Sequence, residues 1–201
     1  MKKVVATIVG IVFLTLVTGV LLFSWIMFSY NSMIIEQESI KQKWSQVENV
    51  YQRRLDLIPN LVETVKGYAK HENKTLKEVI EARAKATSIT IDPSKATPEQ
   101  LAKYQESQGM LAMALGKLMM ITEQYPILKA DANFRDLQAQ LEGTENRIAV
   151  ERREYTLVVQ RFNAGIKSFP RNIIANRYGF KEYSYFEAEK GAEKAPKVKF
   201  D

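Results

Sequence analysis

The stretch from Asp131 to Ser168, DANFRDLQAQLEGTENRIAVERREYTLVVQRFNAGIKS, decides the fold. Phe134, Leu137, Leu141, Thr144, Ile148, Glu151, Tyr155, Val158, Phe162 and Gly165 recur at alternating three- and four-residue steps. Only Thr144, Glu151 and Gly165 interrupt the line of large apolar side chains. Residues so spaced share one face of an α-helix. The spacing therefore predicts a single helix of about 57 Å with a coiled-coil-like seam. A helix that is apolar along one stripe must bury that stripe against other helices. Pro170 ends it, having no N–H to continue the ladder.

Working backwards from this helix, Thr97-Pro98-Glu99-Gln100 combines an N-cap threonine, proline at the first helical position and a capping-box glutamine. The helix it opens carries Leu101, Tyr104, Leu111, Leu115, Leu118 and Tyr125 on one side, and Pro126 follows. Its methionines, Met110, Met113, Met119 and Met120, are expected to fill core, with a soft partner-binding groove as the other reading. Residues 88–96, which hold Asp92-Pro93-Ser94 and no periodicity, are the evident loop. Earlier still, Trp44, Val47, Tyr51, Arg54, Ile58, Leu61, Val65 and Tyr68 keep one heptad register through Pro59. A kinked continuous helix is expected there, against the alternative of a new helix capped by Asp56. A turn near His71 to Lys74, followed by a capping box Thr75-x-x-Glu78, begins the next helix. No run of alternating β-branched residues occurs, so the class is all-α.

At the other end of the chain, Val4 to Phe28 contains no charged side chain. At 1.5 Å per residue the run reaches past the roughly 30 Å hydrocarbon core, and helix is the conformation that satisfies its backbone in lipid. A cleaved signal peptide is the rival reading, favoured by Lys2 and Lys3. The run is about twice a usual h-region, however, and ends in SWIMFSY rather than a small-x-small site. The chain has no cysteine, which removes a lipid-modified cysteine anchor, disulfides and thiolate chemistry. Trp25 and Tyr30 suit an interfacial aromatic belt, and Lys2 and Lys3 lie closer to the membrane than Lys41 and Lys43. The expected placement is the bacterial inner (cell) membrane, single-pass, with a cytoplasmic N-terminus. The organisation follows: 1–30 a transmembrane anchor, 31–188 an elongated antiparallel up-and-down four-helix bundle, and 189–201 a flexible, charged tail.

Composition restricts the chemistry. With 29 basic and 23 acidic residues the net charge is +6, mildly basic and mostly interspersed, which does not describe a nucleic-acid arm. The nine glycines are scattered, and neither common phosphate-loop pattern occurs. His71 is the single histidine and reads as part of a solvated helix end, so a histidine-based triad or a di-iron bundle has little to build on. Glu142 and Glu145 share a helix face and could jointly hold a cation or act as acid and base; the preferred reading is a solvated or interhelical salt-bridge face. No cofactor is expected.

Two constellations remain as sites. Arg54 and Glu151 fall on seam positions, where a polar residue fixes register at some cost in stability, so Arg53 or Arg54 is expected to pair with Glu145 or Glu151. Up-and-down order also returns the long helix to the bilayer. The segment after it, with Arg171, Ile173, Ile174, Arg177, Phe180 and Lys181, mixes apolar and basic side chains and has no acid. It reads either as a contact with anionic lipid or as an elbow packed on the bundle end.

Several blocks together resemble the LemA family: RRLDLIPNLV at 53–62, VKGY at 65–68, EARA at 81–84, LEGTENRIAV at 141–150, Phe169-Pro170, and YFEA at 185–188. The resemblance covers the chain from the anchor to about Ala188. It implies a single-pass bacterial membrane protein with a helical bundle, in a family without a settled activity or assigned catalytic residues. Family members also take part in forming magnetosome membranes. The reading is a non-enzymatic membrane scaffold acting through homo-oligomers or partner membrane proteins, with no nucleic-acid partner. The alternatives are a membrane-remodelling homo-oligomer contacting anionic lipid and a carboxylate-based hydrolase or metal enzyme.

Overall fold

The computed structural model describes residues 1–69 and 72–186; His71 and residues 189–201, read above as a helix end and a tail, lie outside them. Among the described residues there are six helices and no strand: α1 (Lys2–Tyr68), α2 (Asn73–Thr87), α3 (Pro98–Thr122), α4 (Pro126–Ala130), α5 (Ala132–Lys167) and α6 (Arg171–Tyr178). α1 runs without a break from the apolar anchor to the far tip of the bundle, about 100 Å at helical rise. α2, α3 and α5 then run down, up and down beside it, as the spacing predicts. α1 packs chiefly on α5, and α2 on α3.

The helix passes through Pro59 because the backbone group that proline strands finds another partner. Proline has no N–H to offer the carbonyl four residues back, which is that of Leu55. Arg83, reaching across from α2, donates its Nε–H to this carbonyl at 2.9 Å. A guanidinium thus replaces the missing rung, and the apolar register from Trp44 to Val65 stays buried on both sides of the proline.

Two helices, α3 and α5, start on side-chain caps, and one expected cap does not form. The Thr97 hydroxyl accepts from the Gln100 N–H at 3.3 Å and the Gln100 side chain accepts from the Thr97 N–H at 3.0 Å, closing the expected capping box. Asp131 caps α5, accepting from the Phe134 N–H at 2.9 Å. The expected box at Thr75 does not form. α2 starts three residues earlier, at Asn73 with Glu72 as its cap, which buries Thr75 inside its first turn.

The core has two parts. The distal cluster, between Leu55 and Leu141, is enclosed by all four long helices. The proximal one has no α2 above it, because α2 ends at Thr87; Ile91 from the following loop and Tyr183 and Phe186 from the C-terminal segment fill that space around Trp44. Along α5 the buried line leaves the heptad positions Val158 and Gly165 for Val159 and Ile166. A straight helix drifts about 20° per heptad from a strict seven-residue repeat, so over the roughly five heptads of α5 the drift approaches one residue position. The methionines depart from expectation. Met113 and Met120 are exposed at 64% and 68% and Met110 is half-buried, while Met119, half-buried, packs against the edge of the distal core.

Candidate functional site

α6 sits where the anchor leaves the apolar run. α5 ends at Lys167, the chain turns through a cis Phe169-Pro170 bond, and α6 begins at Arg171. Arg171 donates Nη2–H to Glu36 at 2.7 Å, with both side chains about a quarter exposed. The Tyr178 and Phe180 rings lie 4.9 and 5.7 Å from that of Tyr30. Ile26 and Tyr30 pack against the proximal core.

Gly179, at φ +76°, ends α6 in the left-handed conformation that glycine adopts without a Cβ penalty, and the Phe180 N–H closes back on the Ala175 carbonyl at 3.0 Å. From there the chain climbs the bundle as a strap. Asn163 holds Tyr183 through both its amide groups, at 2.8 and 3.0 Å. The Tyr155 hydroxyl donates to the Ser184 carbonyl at 2.9 Å, and Phe186 stacks on Trp44 with ring centroids 5.9 Å apart.

The patch residues divide between two surfaces. Ile174 is buried, while Phe180 is half-buried against Tyr30 and Phe162. Ile173, Arg177 and Lys181 are exposed, and Arg171 turns inward to Glu36. Phe169 at 80% and Tyr178 at 57% exposure add to the outer surface.

Higher on the bundle, Arg54 is 2% exposed and makes three hydrogen bonds. Its Nη1 donates to Glu145 Oε2 at 2.7 Å, and its Nη2 donates to the Gln108 side-chain oxygen at 2.7 Å and to the Gln108 carbonyl at 3.2 Å. The guanidinium also lies over the Tyr51 ring, 5.2 Å from its centre. Three helices therefore meet at one side chain. Glu151 is half-buried two turns further along α5, and Arg53 faces solvent. Gln108 was not singled out from the sequence; a buried polar residue on the apolar face of α3 was the signal that could have found it.

Next to Arg54 a cleft of about 270 Å³ opens between α3 and α5, lined by Ala112, Leu115, Gly116, Met119, Gln138, Leu141, Glu142 and Glu145. It exists because small residues face it from α3: a Cβ added at Gly116 would meet nothing within 4 Å. Glu142 and Glu145 stand on its rim, with Glu145 engaged by Arg54. Among the described residues no group of three acidic or histidine side chains converges tightly enough to hold a metal ion.

Residues 43–200 match the sequence profile of the LemA family. The chain belongs to the LemA family. It is 28% identical to magnetosome protein MamQ 2 of Paramagnetospirillum magneticum and to magnetosome protein MamQ of Magnetospirillum gryphiswaldense, in each case over 83% of this chain and 67% of the relative. To protein LemA of Metamycoplasma hominis it is 26% identical, over 89% of this chain and 77% of that protein. The LemA match begins within α1, beyond its apolar run, and extends past Ala188. The blocks that carry the LemA resemblance are joined in space. RRLDLIPNLV meets LEGTENRIAV through Arg54 and Glu145, and meets EARA through the Leu55 carbonyl and Arg83; YFEA supplies the Phe186 that stacks on Trp44.

Proposed function

We propose that this LemA protein is a non-enzymatic scaffold of the bacterial inner membrane, with its N-terminus in the cytoplasm and its bundle self-associating through the α3 side of the cleft. The observation that carries this reading is the unpartnered apolar face of α3. Met113 and Met120 are exposed, and Met119 and Gly116 line the adjoining cleft. Methionine is a flexible, polarisable side chain that adapts to a second surface, and here two exposed ones adjoin an apolar cleft. α1 is unbroken from the anchor upward, so this face is held about 40 Å or more beyond Phe28. At that height it meets the same face of a neighbouring copy anchored in the same plane. A symmetric contact of this kind needs one self-complementary patch, which is the commonest way soluble surfaces pair. The match to proteins named as magnetosome proteins supports a role on membranes.

The chain has no cysteine, so single reporters are unambiguous. Met113→Cys, Gly116→Cys and Met120→Cys, oxidised in native membranes, are expected to give disulfide-linked dimers, while Lys77→Cys on the outer side of α2 stays monomeric. Monomers at every α3 position, or adducts formed equally well at Lys77, would refute self-association through this face.

A further inference from the structure

We infer that α6 is a collar that docks on the headgroups of anionic lipid in the same bilayer that α1 spans. Depth comes first. The apolar run ends at Phe28, yet the folded body packs against Ile26 and Tyr30, just inside and just outside that boundary. Nothing that touches Tyr30 can be far from the membrane surface, and both Tyr178 and Phe180 do. The Arg171–Glu36 ion pair fixes the start of α6 one to two turns above this level. The occupant of the collar's outer face is therefore set by geometry, because the chain's own anchor brings the bilayer to it.

The chemistry of that face fits the occupant. Ile174 and Ala175 turn inward and are buried, so the opposite side of α6 is the one displayed. There Ile173 is 59% exposed, with Arg177 four residues further on, and Phe169, in the turn just before α6, is 80% exposed. Tyr178 remains 57% exposed beside Tyr30. From Ser168 to Lys181 no acidic residue occurs. Apolar side chains sink into the headgroup boundary while adjacent cations meet lipid phosphates, and aromatic rings favour the same depth. A second copy would also cover an apolar face, but two such collars would bring Arg177 and Lys181 against their own counterparts. Like charges opposed in this way are unfavourable, and a negative surface is not.

The test uses the full-length protein in nanodiscs of phosphatidylcholine, with or without phosphatidylglycerol, and a polarity-sensitive fluorophore on Ile173→Cys; Lys77→Cys, exposed on α2 and outside both proposed contact faces, is the distant control. At position 173 the label is expected to shift to apolar emission and to be shielded from a water-soluble quencher in discs containing phosphatidylglycerol. The shift is expected to weaken in phosphatidylcholine alone and with added salt, while the control does not respond. Neutralising Arg177→Gln or Lys181→Gln lowers the ratio of docked to free collar about fivefold each, since one cation near an anionic surface contributes about 1 kcal/mol. Both residues are exposed, and circular dichroism checks the fold of each variant. If a variant fails to fold, the salt titration of the otherwise unchanged protein decides. A label equally wet in both lipids overturns the inference. So does shielding that follows protein density and gives disulfides between two copies at position 173, which would assign the face to self-association.

Discussion

If Arg83 replaces the hydrogen bond that Pro59 cannot make, removing the arginine should matter only while the proline is there. In Arg83→Ala the Leu55 carbonyl, inside the helix and next to the distal core, loses its donor. A hydrogen bond from a charged group is worth about 1.5–3 kcal/mol, and a buried acceptor left empty costs a similar amount. Arg83 is half-buried, which places the expected loss towards the lower end, about 2 kcal/mol. Pro59→Ala restores the N–H that the Leu55 carbonyl accepts and removes the ring clash, so it should be neutral or stabilising. With alanine at 59 the carbonyl already has a partner, and Arg83→Ala should then cost about 0.5 kcal/mol, as for a half-exposed side chain. The coupling in the double-mutant cycle is thus about 1.5 kcal/mol, well above the few tenths expected of independent sites. Urea unfolding of the full-length protein in detergent, followed by helical circular dichroism, measures all four corners. An Arg83→Ala penalty that is the same with proline and with alanine at 59 would refute this reasoning.

Three further outcomes are expected. In a cycle of Arg54→Met with Glu145→Gln, the arginine change should cost about 2–3 kcal/mol because it strands buried Gln108, the exposed Glu145 being hydrated in its absence, and the glutamate change at least about 1 kcal/mol because the buried Arg54 loses its carboxylate and keeps only neutral acceptors. Coupling above about 0.5 kcal/mol is expected, and strict additivity would show that the two do not act as a pair. Tyr155→Phe removes the hydroxyl that holds the Ser184 carbonyl and should cost about 1 kcal/mol, with faster hydrogen exchange confined to the strap around residues 183–186; unchanged exchange there would argue against the strap. The Phe134 N–H and then the Tyr68 hydroxyl hold the Asp131 carboxyl below its ordinary range, so its ionised form stabilises the fold at neutral pH, and that contribution is lost as pH falls below 3.8. The Asp131→Ala penalty should accordingly shrink in acid, and thermal melts showing the same penalty at pH 7 and in acid would contradict the assignment.

In the sequence by itself the four long helices, and most of the stripe that α1, α3 and α5 bury, were legible from local spacing, because three- and four-residue spacing is a property of one helix and needs no partner to be read; the short α4 and α6 were not. The sequence also determined the anchor, whose length and lack of charge are local facts, and the cap at Thr97. The seam from Trp44 to Val65 ran through Pro59 in the sequence, and the helix does too. What the sequence left open was every relation between segments distant in the chain. That Leu55 would take its hydrogen bond from Arg83, that Arg54 would choose Glu145 over Glu151, and that Phe186 would return to Trp44 depend on how the four helices are aligned along their length. The methionines of α3 were misread for the same reason. An apolar side chain fills core only if a neighbour lies on its side, and α5 packs on α1 instead, leaving that face uncovered. The elbow was undecided because its residues serve both readings, with Ile174 packed inward and Ile173 left out. Periodicity gives each helix its inner face, and only tertiary packing decides what that face meets and which surfaces remain for another molecule.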